Sequence, residues 1–298
     1  MASVPKVLIV GVARGQGRLL ARRLSRDHQV VGVDTDDWER RPAGAQFYRT
    51  DVRSRAFEDA VRKEQPEAVV HLGTVRHFRG SEVQRFDVNV RGTRKLLDVC
   101  RSHAVKKLVV LSTSYVYGAL PDNPSFMAED HPLLAGRNYP EIRDLVEVDS
   151  LATAFMWQHP DLWTSILRPV PTLGYYSENS IVNYLGQRRV LVMMGFNPMM
   201  QFMHEEDLVE AIALALERRL RGVYNVTGPA RCRCASRSAR PAVGPCRCRS
   251  RRPARCSPAC SASAWCASHR ARSTTSSTPA PSPESVSRAR PASARSSG

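Results

Sequence analysis

Cysteine is almost absent from the first 228 of the 298 residues: Cys100 stands there alone, and the other seven lie between Cys232 and Cys266. A lone thiol in a helical pattern excludes a disulfide framework over that stretch and fits a chain kept reduced. Long apolar runs are also missing. None reaches the roughly 18 residues needed to span a bilayer, so no membrane partner is expected. The apolar stretch Val7–Ala13 runs straight into Arg14 and Arg18 with no small-residue cleavage site, which reads as a first strand and not as a leader. A cytoplasmic location is the expectation.

The last seventy residues lack far more. From Pro229 onward there is no Leu, Ile, Met, Phe, Tyr, Lys, Asn, Gln or Asp, and Ser, Arg, Ala, Pro and Cys make up 60 of the 70. Such a segment cannot bury enough apolar surface to offset its conformational entropy, which predicts disorder over 229–298. Charge divides at the same place. Residues 1–228 carry 30 basic and 27 acidic side chains, net +3, whereas 229–298 carry 14 arginines against Glu284 alone, net +13. Three readings of this tail stand. Its C-R-C pairs, Cys232/Cys234 and Cys246/Cys248, leave one residue between thiols where zinc sites leave roughly two to four. An arginine-rich arm can hold phosphates. The favoured reading is out-of-frame translation of a GC-rich gene, which yields mainly Arg, Ala, Pro, Ser, Gly and Cys. Neither a metal nor a nucleic-acid partner is drawn from it.

What is present in residues 1–228 is an alternation of short apolar runs with longer helical patterns. Strands are predicted at Val7–Val10, Gln29–Val33, Phe47–Arg49, Ala68–His71, Leu108–Leu111, Ser165–Leu167 and Tyr224–Val226. Helices are predicted at Arg18–Arg26, Ala56–Lys63, Val83–His103, Ile142–His159 and Glu206–Arg218. This order gives an α/β fold, a doubly wound parallel sheet of Rossmann type covered on both faces.

The first predicted strand runs into GVARGQG, Gly11 to Gly17, and then into an amphipathic helix. Glycines there let the backbone approach a pyrophosphate seated on the helix N-terminus. Seventeen residues past Gly17, Asp34 closes the second strand, where a carboxylate accepts from both adenosine ribose hydroxyls and repels a 2′-phosphate. These residues point to NAD as cofactor.

An ordered set of further motifs resembles the extended short-chain dehydrogenases, the NAD-dependent epimerases and dehydratases that act largely on nucleotide sugars. Asp51 and Val52 resemble the pair that contacts adenine. HLGT (His71, Leu72, Gly73, Thr74) resembles the fourth-strand HLAA motif. DVNVRGT resembles the D-x-N-x-x-G-T helix, with Asn89 as its structural Asn. STSYVYG (112–118) resembles S-S-x-x-V-Y-G, and EDHPL, LRPVPTLG (167–174) and FMHEEDLVEAI, similar to F-x-H-V-x-D-x-x-x-A, follow in the family's order. The resemblance covers residues 5–228. It departs at the glycine turn: the middle glycine of G-x-x-G-x-x-G is Arg14, with Gly15 and Gln16 following. Arg14 either lays its guanidinium against the pyrophosphate or crowds the approach with its Cβ.

The resemblance implies a Tyr phenolate base, a Lys four residues on that lowers the Tyr pKa and holds the nicotinamide ribose, and a Ser or Thr hydroxyl that orients substrate. Thr113 takes the hydroxyl position. No Y-x-x-x-K occurs. One register gives Tyr139 and Arg143, followed by Glu147; the other gives Glu141 and Leu145, followed by Asp149, and abolishes both groups. Residues four apart share a helix face, so Tyr139 and Arg143 can meet if one helix holds both.

The family's smaller lobe is built from chain after the sixth strand and from the C-terminal region. Residues 175–204 supply the first part, and the tail stands where the second is expected. The sequence therefore implies an NAD-binding Rossmann domain over 1–228 with an incomplete substrate lobe. Its implied activity is hydride transfer on a sugar nucleotide or similar alcohol. The alternative is a non-catalytic NAD-binding sensor or partner protein, since the Lys is missing. Pairing into a homodimer through the Val83–His103 and Ile142–His159 helices is implied by the resemblance.

Overall fold

Strand β1 (Lys6–Val10) is apolar along nearly its whole length because both of its faces are covered. Val7 and Ile9 join one core with Leu20, Leu24 and Ile212, while Leu8 and Val10 join a second with Phe57, Leu96 and Ile166. The period-2 alternation of a strand thus feeds two layers at once. The computed structural model describes residues 4–74, 81–120, 122–124, 126–177, 179–187, 199–228 and 231–233, all within a unit spanning Met1–Gly244.

The first half of the chain continues with α1 (Gly15–Leu24), β2 (Gln29–Asp34), β3 (Gln46–Arg49), α2 (Arg55–Glu64) and β4 (Ala68–His71). Next come α3 (Glu82–Phe86), a π-helical turn (Asp87–Arg91), α4 (Gly92–Ser102) and β5 (Lys107–Leu111). After a 3-10 turn (Ser114–Tyr117) the chain forms α5 (Ala135–Asn138), a second 3-10 turn (Pro140–Ile142), α6 (Arg143–Gln158) and β6 (Trp163–Pro169). The remainder is β7 (Thr172–Leu173), α7 (Ser180–Leu185), β8 (Met199–Gln201), β9 (Met203–His204), α8 (Glu205–Glu217), β10 (Gly222–Val226) and β11 (Arg231–Arg233).

Seven of these strands form one sheet in the order β10-β6-β5-β4-β1-β2-β3, with every described neighbour parallel. The seven predicted strands are these seven, and the predicted doubly wound fold is the observed one. The order reverses between β1 and β4. A crevice opens there beyond the carboxyl ends of the strands, the usual ligand position of such sheets.

Local signals set the helix starts. Ser54 caps α2 by accepting from the Phe57 amide at 3.3 Å, and Ser81 and Gln84 form a reciprocal capping box at α3. The predicted continuous helix over Val83–His103 is divided. The π-helical turn inserts a wider step at Asp87–Arg91, which leaves Asn89 fully buried.

Two small pairings lie outside the main sheet: β7 with β9, parallel, and β8 with β11, antiparallel, Gln201 opposite Arg231. The second reaches past Gly228, so the backbone of 231–233 is a strand within the segment predicted to be disordered. The rest of that segment, with Cys234 and the pair Cys246/Cys248, lies outside the described residues, as do 178 and 188–198 of the expected lobe. Among the described residues, no helix is long and apolar enough to cross a membrane, and no group of His, Cys, Asp and Glu is arranged to hold a metal.

Candidate cofactor site

The site begins where β1 ends. Gly11 turns the chain with φ of +86°, and a Cβ there would lie 2.9 Å from the Gly73 Cα, so only glycine lets the exits of β1 and β4 approach this closely. Helix α1 then starts at Gly15 with Arg14 as an extended N-cap that makes no side-chain capping bond. Its first turn presents the positive end of the helix dipole to the crevice. Asp34, at the end of β2, is fixed on this turn: Oδ2 accepts from the Ala13 amide at 2.8 Å and Oδ1 from the Asp36 amide at 3.1 Å. A carboxylate has about four lone-pair positions, so capacity remains for a diol.

A cavity of about 440 Å³ occupies the crevice. Gly11, Arg14, Gly15, Gln16, Gly17, Asp34, Asp51, Val52, Leu72, Gly73 and Thr74 line it, together with Thr113. Asn89 does not. Its Nδ2 donates to Asp144 Oδ2 at 2.6 Å, between the π-helical turn and α6. Arg14, one of the open questions of the sequence, turns to the β2 exit, where its Nε lies 2.9 Å from Asp36 Oδ2 with both side chains more than half exposed. Asp51 is held by Arg53, whose Nε and backbone amide donate to it at 2.9 and 2.8 Å. The Arg53 side chain keeps the Asp51 carboxyl below the usual carboxylate range.

The structure does not bring Tyr139 and Arg143 to this cavity. Tyr139 precedes α6 and is separated from it by the 3-10 turn Pro140–Ile142, so the four-residue face relation of a single helix does not apply. Its hydroxyl donates to the Ala119 carbonyl at 3.1 Å, and Arg143 Nε donates to the Gly136 carbonyl at 3.4 Å. Tyr139, Arg143 and Glu147 are all exposed, away from the cavity. The face of α6 on the cavity belongs to the other register: Leu145 and Val148 line it beside Thr113, and Asp149 is fully buried. Glu141 lies in the 3-10 turn ahead of α6, exposed and off the cavity wall.

Asp149 explains that rotation. Arg168, inside β6, is 4% exposed and donates through Nε and Nη2 to Asp149 at 2.9 and 2.6 Å. Ser112, on the cavity wall, donates its hydroxyl to Asp149 at 2.5 Å. Sequence reasoning did not use this pair, although a signal was present. An arginine within an apolar parallel strand requires a buried counter-ion, and Asp149 is the α6 residue that meets it. Thr172, within LRPVPTLG, and Tyr176 are also on the wall, though neither was singled out in the sequence as lining.

His71 closes β4 on the cavity wall, with Nε2 2.9 Å from Thr93 Oγ1. Burial lowers its pKa to about 4. The unfolded chain, with His near 6.5, then binds more protons between these values, so stability falls as pH drops from about 6.5 toward 4. The full loss is about 3 kcal/mol. Urea unfolding at pH 7 and at pH 4.5 should show it, and His71→Asn should flatten that part of the profile. An equal pH slope in the variant would assign the effect to other groups.

The model of the NAD dependent epimerase/dehydratase family matches residues 7–227. The chain belongs to that family. A Mycobacterium tuberculosis protein described as uncharacterized is 27% identical over 233 residues, 74% of this chain and 62% of the relative, so the chain spans less than two thirds of that relative's length. The UDP-glucose 4-epimerase of Thermus thermophilus, solved with NAD, is 25% identical with a TM-score of 0.67, covering 78% of this chain and 80% of the other. The dTDP-glucose 4,6-dehydratase of Bacillus anthracis shares the fold at 19% identity and a TM-score of 0.64, covering 78% of each chain. The family is NAD-dependent, and the crevice fits the group. A glycine cradle that a Cβ would fill meets a helix N-terminus, and the Asp34 carboxylate stands on the cavity wall at the end of β2.

Proposed function

We propose that this chain holds NAD in the crevice and does not carry the family's Tyr and Lys proton-transfer pair. Asp34 receives the adenosine ribose, Asp51 and Val52 flank adenine, and the Gly11–Gly17 turn receives the pyrophosphate. Bound NAD supplies a hydride acceptor. The residues around it supply Thr113 as the one hydroxyl of the family's catalytic set. One observation carries the reading: the α6 side chains on the cavity are Leu145 and Val148, which can neither hold a ribose diol nor depress the pKa of a phenol. The protein is then an NAD-binding member that acts by binding. Incubated with NAD and a panel of sugar nucleotides, it should bind NAD, accumulate no NADH and convert none of the sugar nucleotides, followed by chromatography of the sugar products. Steady turnover by the unmodified protein would refute the proposal.

A second reading keeps enzymatic activity on a nucleotide sugar, with Tyr139 as base and Arg143 as its cation. The position of Thr113 and the likeness to the Thermus epimerase favour it. Under this reading Tyr139→Phe abolishes a measurable rate. Both readings take a sugar nucleotide or similar alcohol as small-molecule partner and pair two chains through α3–α4 and α6.

The assignment of Asp34 has its own test. Removing a hydrogen bond to a charged group costs roughly 1.5–3 kcal/mol, so Asp34→Ala should weaken NAD about tenfold or more while weakening NADP less. Calorimetry showing NAD affinity unchanged would remove Asp34 from the site.

A further inference from the structure

The stretch that follows β6, from Thr172 to Ser177, lies against the glycine turn. A Cβ added at Gly15 would stand 3.0 Å from the Tyr176 carbonyl oxygen. A chain of buried polar groups holds the stretch there. Gln16 Nε2 donates to Thr172 Oγ1 at 2.7 Å. The Ser177 hydroxyl stands 3.4 Å from Thr172 Oγ1 and donates to Glu205 Oε2 at 2.9 Å. Glu205 also accepts the Tyr176 amide at 3.0 and 3.2 Å. Gln16, Thr172, Ser177 and Glu205 are each less than a tenth exposed.

Glu205 opens α8, at the position where the F-x-H-V-x-D pattern has valine. Its carboxylate fills the space that Gly174 leaves, since a Cβ on that glycine would collide with it. A buried carboxylate is costly unless hydrogen bonds meet it. Here an amide and a hydroxyl do, both from the stretch it fixes. Glu205 is not itself on the cavity wall, whereas Gln16, Thr172 and Tyr176 are.

We propose that Glu205 is a positioning residue for the cofactor. Through Tyr176, Ser177 and Thr172 it braces Gln16 and the glycine turn in the geometry that receives the pyrophosphate. This rests on the NAD reading above. The brace acts at the pyrophosphate and not at the adenosine end, where Asp34 and Asp51 stand, and that difference separates positioning from general destabilisation.

Thr172→Val removes the central hydroxyl at nearly constant volume, and Glu205→Gln removes the charge. Each should weaken ADP-ribose about tenfold by calorimetry while leaving adenosine, followed by NMR titration, unchanged. Thr172→Ser should restore the wild-type value. If Glu205→Gln fails to fold, Thr172→Val carries the test. Equal loss for adenosine and ADP-ribose overturns the brace, as does wild-type ADP-ribose affinity in Thr172→Val; both leave the NAD reading standing. An unmodified protein that binds neither ligand overturns the NAD reading and the brace with it.

Discussion

Replacing Glu141 by Tyr and Leu145 by Lys together should create NAD-dependent turnover of a sugar nucleotide where the unmodified chain shows none, about 10²–10⁴-fold above the uncatalysed background, the usual worth of a positioned general base. A free Tyr titrates near 10 and is a poor base at neutral pH. A Lys ammonium at 145 favours the phenolate and also offers a donor beside Thr113, where the native Leu145 offers none. The two groups work as a unit, so Glu141→Tyr or Leu145→Lys alone should gain little. Leu145 is chosen because it stands on the cavity wall, and position 141 because it lies four residues earlier in the 3-10 turn that enters α6; Tyr139→Phe in the doubly substituted protein should leave the new rate unchanged. A doubly substituted protein that binds NAD but stays inactive, or one silenced by Tyr139→Phe, would show that position 141 does not hold the base.

The largest stability effect is expected at Arg168 and Asp149. Burial by itself lowers the pKa of the Arg168 guanidinium, but hydrogen bonding and charge from Asp149 outweigh it and raise the pKa. Asp149→Asn leaves that cation buried without a counter-charge and should cost about 3–5 kcal/mol. Denaturant unfolding should show the loss as a shifted midpoint at similar slope. Arg168→Met in the same chain should recover much of it, because an apolar replacement of the cation removes the stranded charge. A change below about 0.5 kcal/mol, typical of surface sites, would show that the pair does not set the orientation of α6.

The sheet was legible in the sequence because parallel strands covered on both faces are continuous apolar runs. KVLIV, AVVH and KLVVL stand out against the charged helices between them, and all seven runs lie in the main sheet. The glycine turn and Asp34 were legible for a similar reason, since backbone approach and a strand-end carboxylate leave local signs. Side-chain rotation was not. Whether Tyr139 or Glu141 shares the face of Leu145 depends on a 3-10 turn at Pro140–Ile142 and on a salt bridge between residues 19 apart in sequence. Periodicity within one helix reports neither. That Asn89, grouped by its motif with the cofactor residues, stands off the cavity was hidden for a related reason: the π-helical turn directs it to Asp144. The pairing of β8 with β11 was equally invisible, because three-residue strands carry no pattern long enough to read.

Asp34, the glycine turn and the Glu205 brace all depend on the crevice receiving a dinucleotide. Calorimetric titration of the unmodified protein with NAD and then NADP tests it. Saturable binding of NAD, with NADP weaker by about tenfold or more because its 2′-phosphate meets the Asp34 carboxylate, is the predicted result. Equal affinity for the two, or no binding of either, would contradict it.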